Sequence, residues 1–66
     1  MPIIRVEMLE GRSDEQRKNL AAALTEAMVK TVNIDASHIH VVIQEVPAKN
    51  WAFAGTTFAE APPHKR

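Results

Sequence analysis

The segment from Ile39 to Val46 constrains the fold most, because it reads Ile-His-Val-Val-Ile-Gln-Glu-Val. One alternating set of its positions is mostly aliphatic, and Val42 and Val46 make the other set partly apolar as well. A β-branched run that is apolar on both sides is typical of a strand in a parallel sheet that is covered on both faces. The segment therefore needs a parallel partner strand and two covering layers, from a chain of only 66 residues or from a neighbour.

A partner strand and a helix are both predicted upstream of this segment. Apolar and charged residues alternate over residues 2–9, as expected of a strand. Ser13 and Gln16 then form an S-x-x-Q capping box, which marks a helix expected over residues 14–32. Asn33 is expected to end that helix in a left-handed conformation.

The helix should turn one apolar stripe toward the sheet. The stripe expected from three- and four-residue spacing consists of Leu20, Leu24, Ala27, Met28 and Thr31, with Ala23 beside them. The charged helix residues, including Arg17, are expected mainly on the solvent side. Glu7 and Glu45 on the two strands are likewise expected to be surface charges.

Strand, helix and strand in this order predict an α+β fold, namely a single β-α-β unit with a right-handed crossover. Beyond the second strand, Trp51 and Phe53 alternate and Gly55 offers a turn, so a short hairpin is expected. The end of the chain, Pro62 to Arg66, is expected to fray. With no repeat or linker in the sequence, residues 1–66 are expected to form one domain.

Such a chain is too small to stabilise itself by a core alone. It has no cysteine, so disulfides and cysteine-based metal sites are excluded, yet 45% of its residues are hydrophobic. One helix covers one face of a sheet, and two strands alone are marginal. The sequence therefore predicts a homo-oligomer in which neighbouring chains complete the sheet.

Charge and hydropathy argue against two classes of partner. Lys and Arg number 8, as do Asp and Glu, so the basic excess typical of a nucleic-acid-binding protein is missing. No apolar run approaches the ~18–20 residues of a membrane span. Charged residues also interrupt the amino-terminal stretch, unlike a signal peptide. We expect a cytoplasmic protein with neither nucleic acid nor membrane as partner.

Pro2 is the residue with the most unusual potential chemistry. If Met1 is removed, Pro2 begins the chain with a secondary amine held at the start of a strand. An ordinary α-amino group has a pKa of about 7.7–8.0. An apolar pocket or a nearby cation would lower that pKa, and a neutral amine is a competent general base. The simpler alternative is that Pro2 only starts the strand.

Two sequence motifs favour the role of Pro2 as a general base over its role as the start of a strand. Pro-Ile-Ile at residues 2–4, followed by Leu-Glu-Gly-Arg-Ser-Asp-Glu-Gln at residues 9–16, resembles the 4-oxalocrotonate tautomerase (2-hydroxymuconate tautomerase) family. The resemblance extends to about Gly55. It implies β-α-β subunits assembled as a hexamer, a trimer of dimers. It also implies a cofactor-free isomerase that acts on a small 2-hydroxydienoate or enolisable 2-oxo acid, as in the degradation of aromatic compounds.

The resemblance also assigns roles to five residues. Pro2 corresponds to the catalytic base, and Arg12 to an arginine that grips a substrate carboxylate, as a forked guanidinium does well. Trp51 stands where the archetype has a phenylalanine that lines the pocket, and Phe53 is expected to share that wall. His40 stands where the archetype has a second arginine. It can donate one hydrogen bond but cannot form a bidentate clamp, so a substrate other than 2-hydroxymuconate is favoured.

Other readings of these residues remain open. Arg12 could be a solvated residue before the helix, His40 a strand residue that faces a neighbour, and Trp51 and Phe53 part of an interface. His38 and His40 could lie on one strand face as a metal pair, but no third ligand is near in sequence, so no metal is expected. At the level of function, the alternatives are an idle subunit or interaction module, a decarboxylase or hydratase that uses a cationic proline, or a site completed by a second type of chain.

Overall fold

The computed structural model describes residues 1–60, which form a β-α-β unit followed by a small hairpin. The elements are β1 (Ile3–Leu9), α1 (Asp14–Val32), β2 (His40–Val46), β3 (Ala52–Phe53) and β4 (Thr56–Thr57). β1 and β2 pair in parallel, from Ile3 opposite His40 to Leu9 opposite Val46. This confirms the predicted α+β class. The prediction for Pro62 to Arg66 lies outside the described residues.

The bounds of α1 follow from its two caps. The Ser13 hydroxyl accepts a hydrogen bond from the Gln16 N–H at 3.1 Å, and the Gln16 side chain accepts one from the Ser13 N–H at 3.0 Å. At the other end Asn33 adopts φ 63° and ψ 50°, and its N–H donates to the Val29 carbonyl at 3.0 Å. Both caps are those predicted from the sequence, and they confirm the helix over Asp14–Val32.

The helix covers only one face of the two-stranded sheet. The residues of the covered face are half-buried: Ile4, Val6 and Met8 of β1, and Val41, Ile43 and Glu45 of β2. The opposite face, called the open face here, exposes Ile3, Arg5, Glu7, His40, Val42 and Gln44. Ile3 is 52% and Val42 43% exposed, and none of residues 1–60 is fully buried. The layer expected to cover the second face of β2 is therefore not formed by residues 1–60.

The stripe of α1 that meets the sheet differs from the expected one on one flank. Its half-buried residues are Arg17, Leu20, Ala21, Leu24, Thr25, Met28 and Val29. Ala23, Ala27 and Thr31 are exposed instead, so their placement in the stripe was wrong. Burying Val29 removes more apolar surface from water than burying Ala27, which favours this flank. Neither α1 nor any other helix within residues 1–60 is long and apolar enough to cross a membrane.

A short 3-10 turn, Ala36–His38, leads into β2. The Asp35 carboxylate caps it by accepting hydrogen bonds from the hydroxyl and the N–H of Ser37, and these bonds lower the pKa of the Asp35 carboxyl. His38 ends this turn and precedes the strand that begins at His40. The reading of both histidines as neighbours on one strand face was therefore wrong.

The hairpin predicted near Gly55 is present. β3 and β4 pair antiparallel, with Phe53 opposite Thr56. The two residues between them, Ala54 at φ 54° and Gly55 at φ 85°, both have positive φ, as in a type I′ turn. Glycine adopts such a conformation readily, whereas alanine does so at a cost.

Candidate active site

Pro2 and His40 lie together at the amino ends of the two parallel strands. Pro2 is half-buried and directly precedes β1. Its carbonyl accepts a hydrogen bond from the His40 N–H at 3.0 Å, which fixes the peptide group that follows the proline ring. His40 pairs with Ile3 in the strand register, and both are exposed on the open face. The structure thus holds the carbonyl side of Pro2 in the sheet, while its nitrogen lies before the first residue of the strand.

Arg12 lies at the other end of β1, in the loop that leads into α1. The loop turns at Gly11, whose φ of 127° is one that L side chains rarely adopt. Arg12 is exposed and borders a cavity of about 170 Å³, also lined by Met8, Gln16, Arg17 and Leu20. Arg17 is engaged by Glu45 and Asp14, so Arg12 is the cation at this small space that is available for an anionic group.

One chain does not bring Pro2 and Arg12 together. β1 runs over Ile3–Leu9 between them. From Pro2 to Leu9 the strand covers about 23 Å at ~3.3 Å per residue. A substrate of a few carbon atoms cannot bridge that distance. If both residues act on one substrate, they must come from different copies of the chain.

Two charged residues that were expected at the surface hold the main chain of Arg12. Glu45 accepts a hydrogen bond from the Arg12 N–H at 3.3 Å, and Arg17 donates one to the Arg12 carbonyl at 2.7 Å. Arg17 and Glu45 also form an ion pair at 3.0 Å. The surface placement of both was wrong. Glu45 follows Val41 and Ile43 in the alternating covered face of β2, and Arg17 lies one helical turn before Leu20. The spacing along each element therefore indicated that both side chains belong to covered faces.

Trp51 lies near the carboxyl end of the sheet, on the side of the open face. It borders a cavity of about 310 Å³ together with Glu7, Val46, Asn50 and Ala52. Its ring stacks on Phe58, with centroids 6.2 Å apart and an interplanar angle of 9°, and its carbonyl accepts from the Phe58 N–H at 2.9 Å. Phe53 is 74% exposed at the hairpin. The aromatic partner of Trp51 within one chain is thus Phe58, which was not singled out from the sequence.

Metal ligation finds no support in the described part of the chain. Over residues 1–60, no three or more His, Cys, Asp or Glu side chains are grouped so that they could hold an ion.

The family of the chain follows from its sequence profile. The profile described as "Tautomerase enzyme" matches residues 2–61. The chain belongs to the tautomerase family. A relative from Staphylococcus aureus (strain Mu50), named a probable tautomerase, is 49% identical over 55 residues, which are 83% of this chain and 90% of the relative.

Solved structures agree in both sequence and fold. A 4-oxalocrotonate tautomerase isozyme from Methylibium petroleiphilum matches with a TM-score of 0.87 and 38% identity, over 91% of this chain and 94% of its own. A heterohexameric 4-oxalocrotonate tautomerase from Chloroflexus aurantiacus J-10-fl matches with a TM-score of 0.85 and 40% identity, over 91% and 97% of the two chains. Membership of the family confirms the resemblance seen in the motifs and supports a tautomerase-type, isomerase function. The incomplete sheet implies that the chain oligomerises.

Proposed function

We propose that this tautomerase interconverts the enol and keto forms of a small 2-hydroxydienoate or 2-oxo acid, with the amine of Pro2 as general base. The observation that carries the proposal is the placement of Pro2. It is half-buried directly before β1, its carbonyl is fixed by the His40 N–H at 3.0 Å, and the family profile begins at this residue. Removal of Met1 would convert its nitrogen from an amide into a secondary amine with a fixed position.

The proposed reaction is a proton transfer from oxygen to carbon. The neutral amine of Pro2 accepts the proton of the enol hydroxyl, and the electron pair of that O–H bond forms the carbonyl π bond. The displaced carbon–carbon π pair takes a proton from the prolinium, at a carbon of the substrate, which regenerates the neutral amine. Such acid–base steps contribute about 10²–10⁴-fold to a rate. The scheme uses protein groups alone and requires no cofactor.

Four further residues are proposed to form the substrate pocket. Arg12 would hold its carboxylate through two parallel N–H···O bonds. His40, beside Pro2, would donate one hydrogen bond to the oxygen on which negative charge develops. Trp51, with Phe53 contributed by the same hairpin region, would exclude water and so favour the neutral form of the amine.

The proposed site is shared between subunits. A two-fold axis that sets two sheets edge to edge in antiparallel orientation places the amino end of one β1 beside the carboxyl end of the other. Pro2 and His40 of one copy would then meet Arg12 and Trp51 of the next, and each pair of chains would build two sites. Ile3 and Val42, which the pairing leaves on the open face, would be buried by packing three such dimers into a hexamer. In each subunit residues 1–66 would act as a single domain, as the profile match over 2–61 supports.

The test compares three forms of the purified protein in the ketonisation of phenylenolpyruvate and of 2-hydroxymuconate. The first form lacks Met1, as checked by intact mass; the second is Pro2→Ala; the third retains Met1. We expect Pro2→Ala and the Met1-retaining form to lose about 10²–10⁴-fold in kcat/KM. The Met1-retaining form is the matched control, since it keeps every side chain and blocks only the amine. Full activity of either form, or no activity of the first, would contradict the proposal.

A further inference from the structure

We infer that Arg17 and Glu45 are positioning residues for Arg12, and that Arg17 keeps the Glu45 carboxylate from pairing with the Arg12 guanidinium. This inference rests on the proposed function, in which that guanidinium binds the substrate carboxylate.

The first argument is geometric. The two side chains hold both polar groups of the Arg12 backbone, because its N–H donates to Glu45 Oε2 at 3.3 Å and its carbonyl accepts from Arg17 Nη1 at 2.7 Å. The same Nη1 donates to Glu45 Oε1 at 3.0 Å, which closes the network. Arg17 also pairs with Asp14 in the first turn of α1. A loop residue that follows a glycine at φ 127° is thereby tied to both α1 and β2.

The second argument concerns burial. The Arg17 and Glu45 side chains are 30% and 20% exposed, whereas Lys30 and Glu26, which form an ion pair at 3.2 Å on the outer side of α1, are 71% and 66% exposed. Ion pairs in exposed positions are screened by water and contribute little. The pair beside Arg12 is held within the packing of α1 on the covered face, so it keeps its geometry better than the pair at Lys30.

The third argument concerns charge. Glu45 already touches the backbone of Arg12, so its carboxylate lies within reach of the flexible Arg12 side chain. The ion pairs within residues 1–60 nevertheless involve Arg17 and Lys30 as cations and not Arg12. Arg17, which also pairs with Asp14, donates to Glu45 Oε1 and so occupies one of the two oxygens of that carboxylate. Without Arg17, the carboxylate would compete with a substrate carboxylate for the same guanidinium, because both offer the same charge-assisted bonds.

The experiment measures KM and kcat for Arg17→Gln, Glu45→Gln and the double variant, in the assembled protein with free Pro2. Arg17→Gln should raise KM for phenylenolpyruvate about tenfold and change kcat less than about twofold, as expected when a binding contact rather than the chemical step is weakened. The double variant should return KM to within about threefold of the parent, because Glu45→Gln removes the competing charge while its amide oxygen still accepts from the Arg12 N–H. Lys30→Gln, which removes the exposed ion pair of the same helix, should leave KM unchanged.

The comparison of KM between Arg17→Gln and the double variant separates positioning from a purely structural role. If the pair served stability alone, the double variant would be at least as impaired as Arg17→Gln, and that result would overturn the inference, as would an unchanged KM in Arg17→Gln. Should Arg17→Gln fail to assemble, Arg17→Lys replaces it, with a KM rise of about threefold that Glu45→Gln again reverses. Arg12→Ala tests the underlying assignment: if it leaves KM unchanged in an active protein, the proposed role of Arg12 fails independently of Arg17.

Discussion

His40 is the residue whose chemistry differs most from the family pattern described above. It lies on the open face beside Pro2, where the resemblance places an arginine that binds the far end of a dicarboxylate. An imidazole offers one N–H toward a substrate in this position, whereas a guanidinium offers a planar fork. The identity of this one side chain should therefore decide between substrates with one carboxylate and substrates with two.

We predict that His40→Arg shifts the preference toward the dicarboxylate. The kcat/KM for 2-hydroxymuconate should rise about tenfold, since a charge-assisted bidentate contact replaces at most one hydrogen bond. The kcat/KM for phenylenolpyruvate, which has no second carboxylate, should change less than about threefold. Steady-state kinetics on both substrates, measured with the same preparation, give the ratio directly.

His38→Arg provides the matched control for this prediction. It makes the same substitution two positions earlier, in the 3-10 turn rather than in the strand. It should leave the ratio of the two kcat/KM values unchanged. An equal gain in both variants would mean that added positive charge attracts anionic substrates in general, and a specific role of position 40 would then be refuted.

A residue of the candidate site could be predicted from the sequence where its neighbours along the chain identify it, and not where its contacts depend on how separate elements pack. The motif residues Pro2 and Arg12 stand out in the sequence because their neighbours are unusual. Arg17 and Glu45 stand out less: spacing along the chain places each of them on a covered stripe, but their pairing with one another depends on the register of α1 and β2. The stacking of Trp51 on Phe58 likewise depends on how the hairpin folds back, which spacing along the chain does not specify.

For the helix and the strands, the sequence predicts where each element begins and ends better than it predicts which residues pack against the neighbouring element. The helix begins and ends as expected because its caps are local hydrogen bonds between residues a few positions apart. Which flank of α1 meets the sheet depends instead on packing, and the choice between Val29 and Ala27 was predicted wrongly. The partly apolar open face of β2 was predicted correctly, but residues 1–60 provide no layer that covers it.

The hairpin turn offers a prediction at this scale. Ala54 adopts φ 54°, a conformation that asparagine tolerates better than alanine. Ala54→Asn creates the Asn-Gly pair favoured in type I′ turns and should raise the free energy of unfolding by roughly 0.5–1 kcal/mol. Chemical denaturation at one fixed protein concentration measures this, because the stability of an oligomer depends on concentration.

Gly55→Ala is the opposite test of the same turn. Nothing lies within 4 Å of a Cβ added at Gly55, so the only cost is the backbone conformation at φ 85°. We expect a loss of roughly 1 kcal/mol. If Ala54→Asn destabilised the protein, or if Gly55→Ala had no effect, the positive φ values of this turn would not be a source of strain.

Residues 1–60, the part of the chain that the structure describes, are too extended to be a complete folded unit by themselves. Their radius of gyration is 14.8 Å. A compact domain of this length would have about 11 Å. No residue within 1–60 is fully buried, and the two exposed large aliphatic residues of the sheet, Ile3 and Val42, both lie on the open face, with Ile3 directly after Pro2. The open face, which needs another chain to cover it, thus adjoins the proposed base Pro2. Assembly of the oligomer should therefore also determine the environment of the proposed site.

The last prediction tests whether the site is shared between copies. At a substrate concentration near the parental KM, Pro2→Ala and Arg12→Ala should each be nearly inactive as pure proteins, because one lacks the base and the other the carboxylate-binding group in every site. In a mixed dimer, one site would combine both substitutions and the other would combine neither, if Pro2 and Arg12 come from different chains. Random pairing at equal amounts makes half of the dimers mixed, so about one quarter of all sites should be intact.

The measurement is the rate of an equimolar mixture that has been unfolded and refolded together, relative to the parent protein treated in the same way, at a substrate concentration near the parental KM. We expect recovery to about a quarter of the parental rate. Refolding each variant alone, and refolding Pro2→Ala with a differently tagged Pro2→Ala, should restore nothing. If the two tagged variants co-assemble and the activity still stays at the level of the pure variants, Pro2 and Arg12 act within one chain. The strand of about 23 Å that separates them would then have to rearrange before any substrate could meet both.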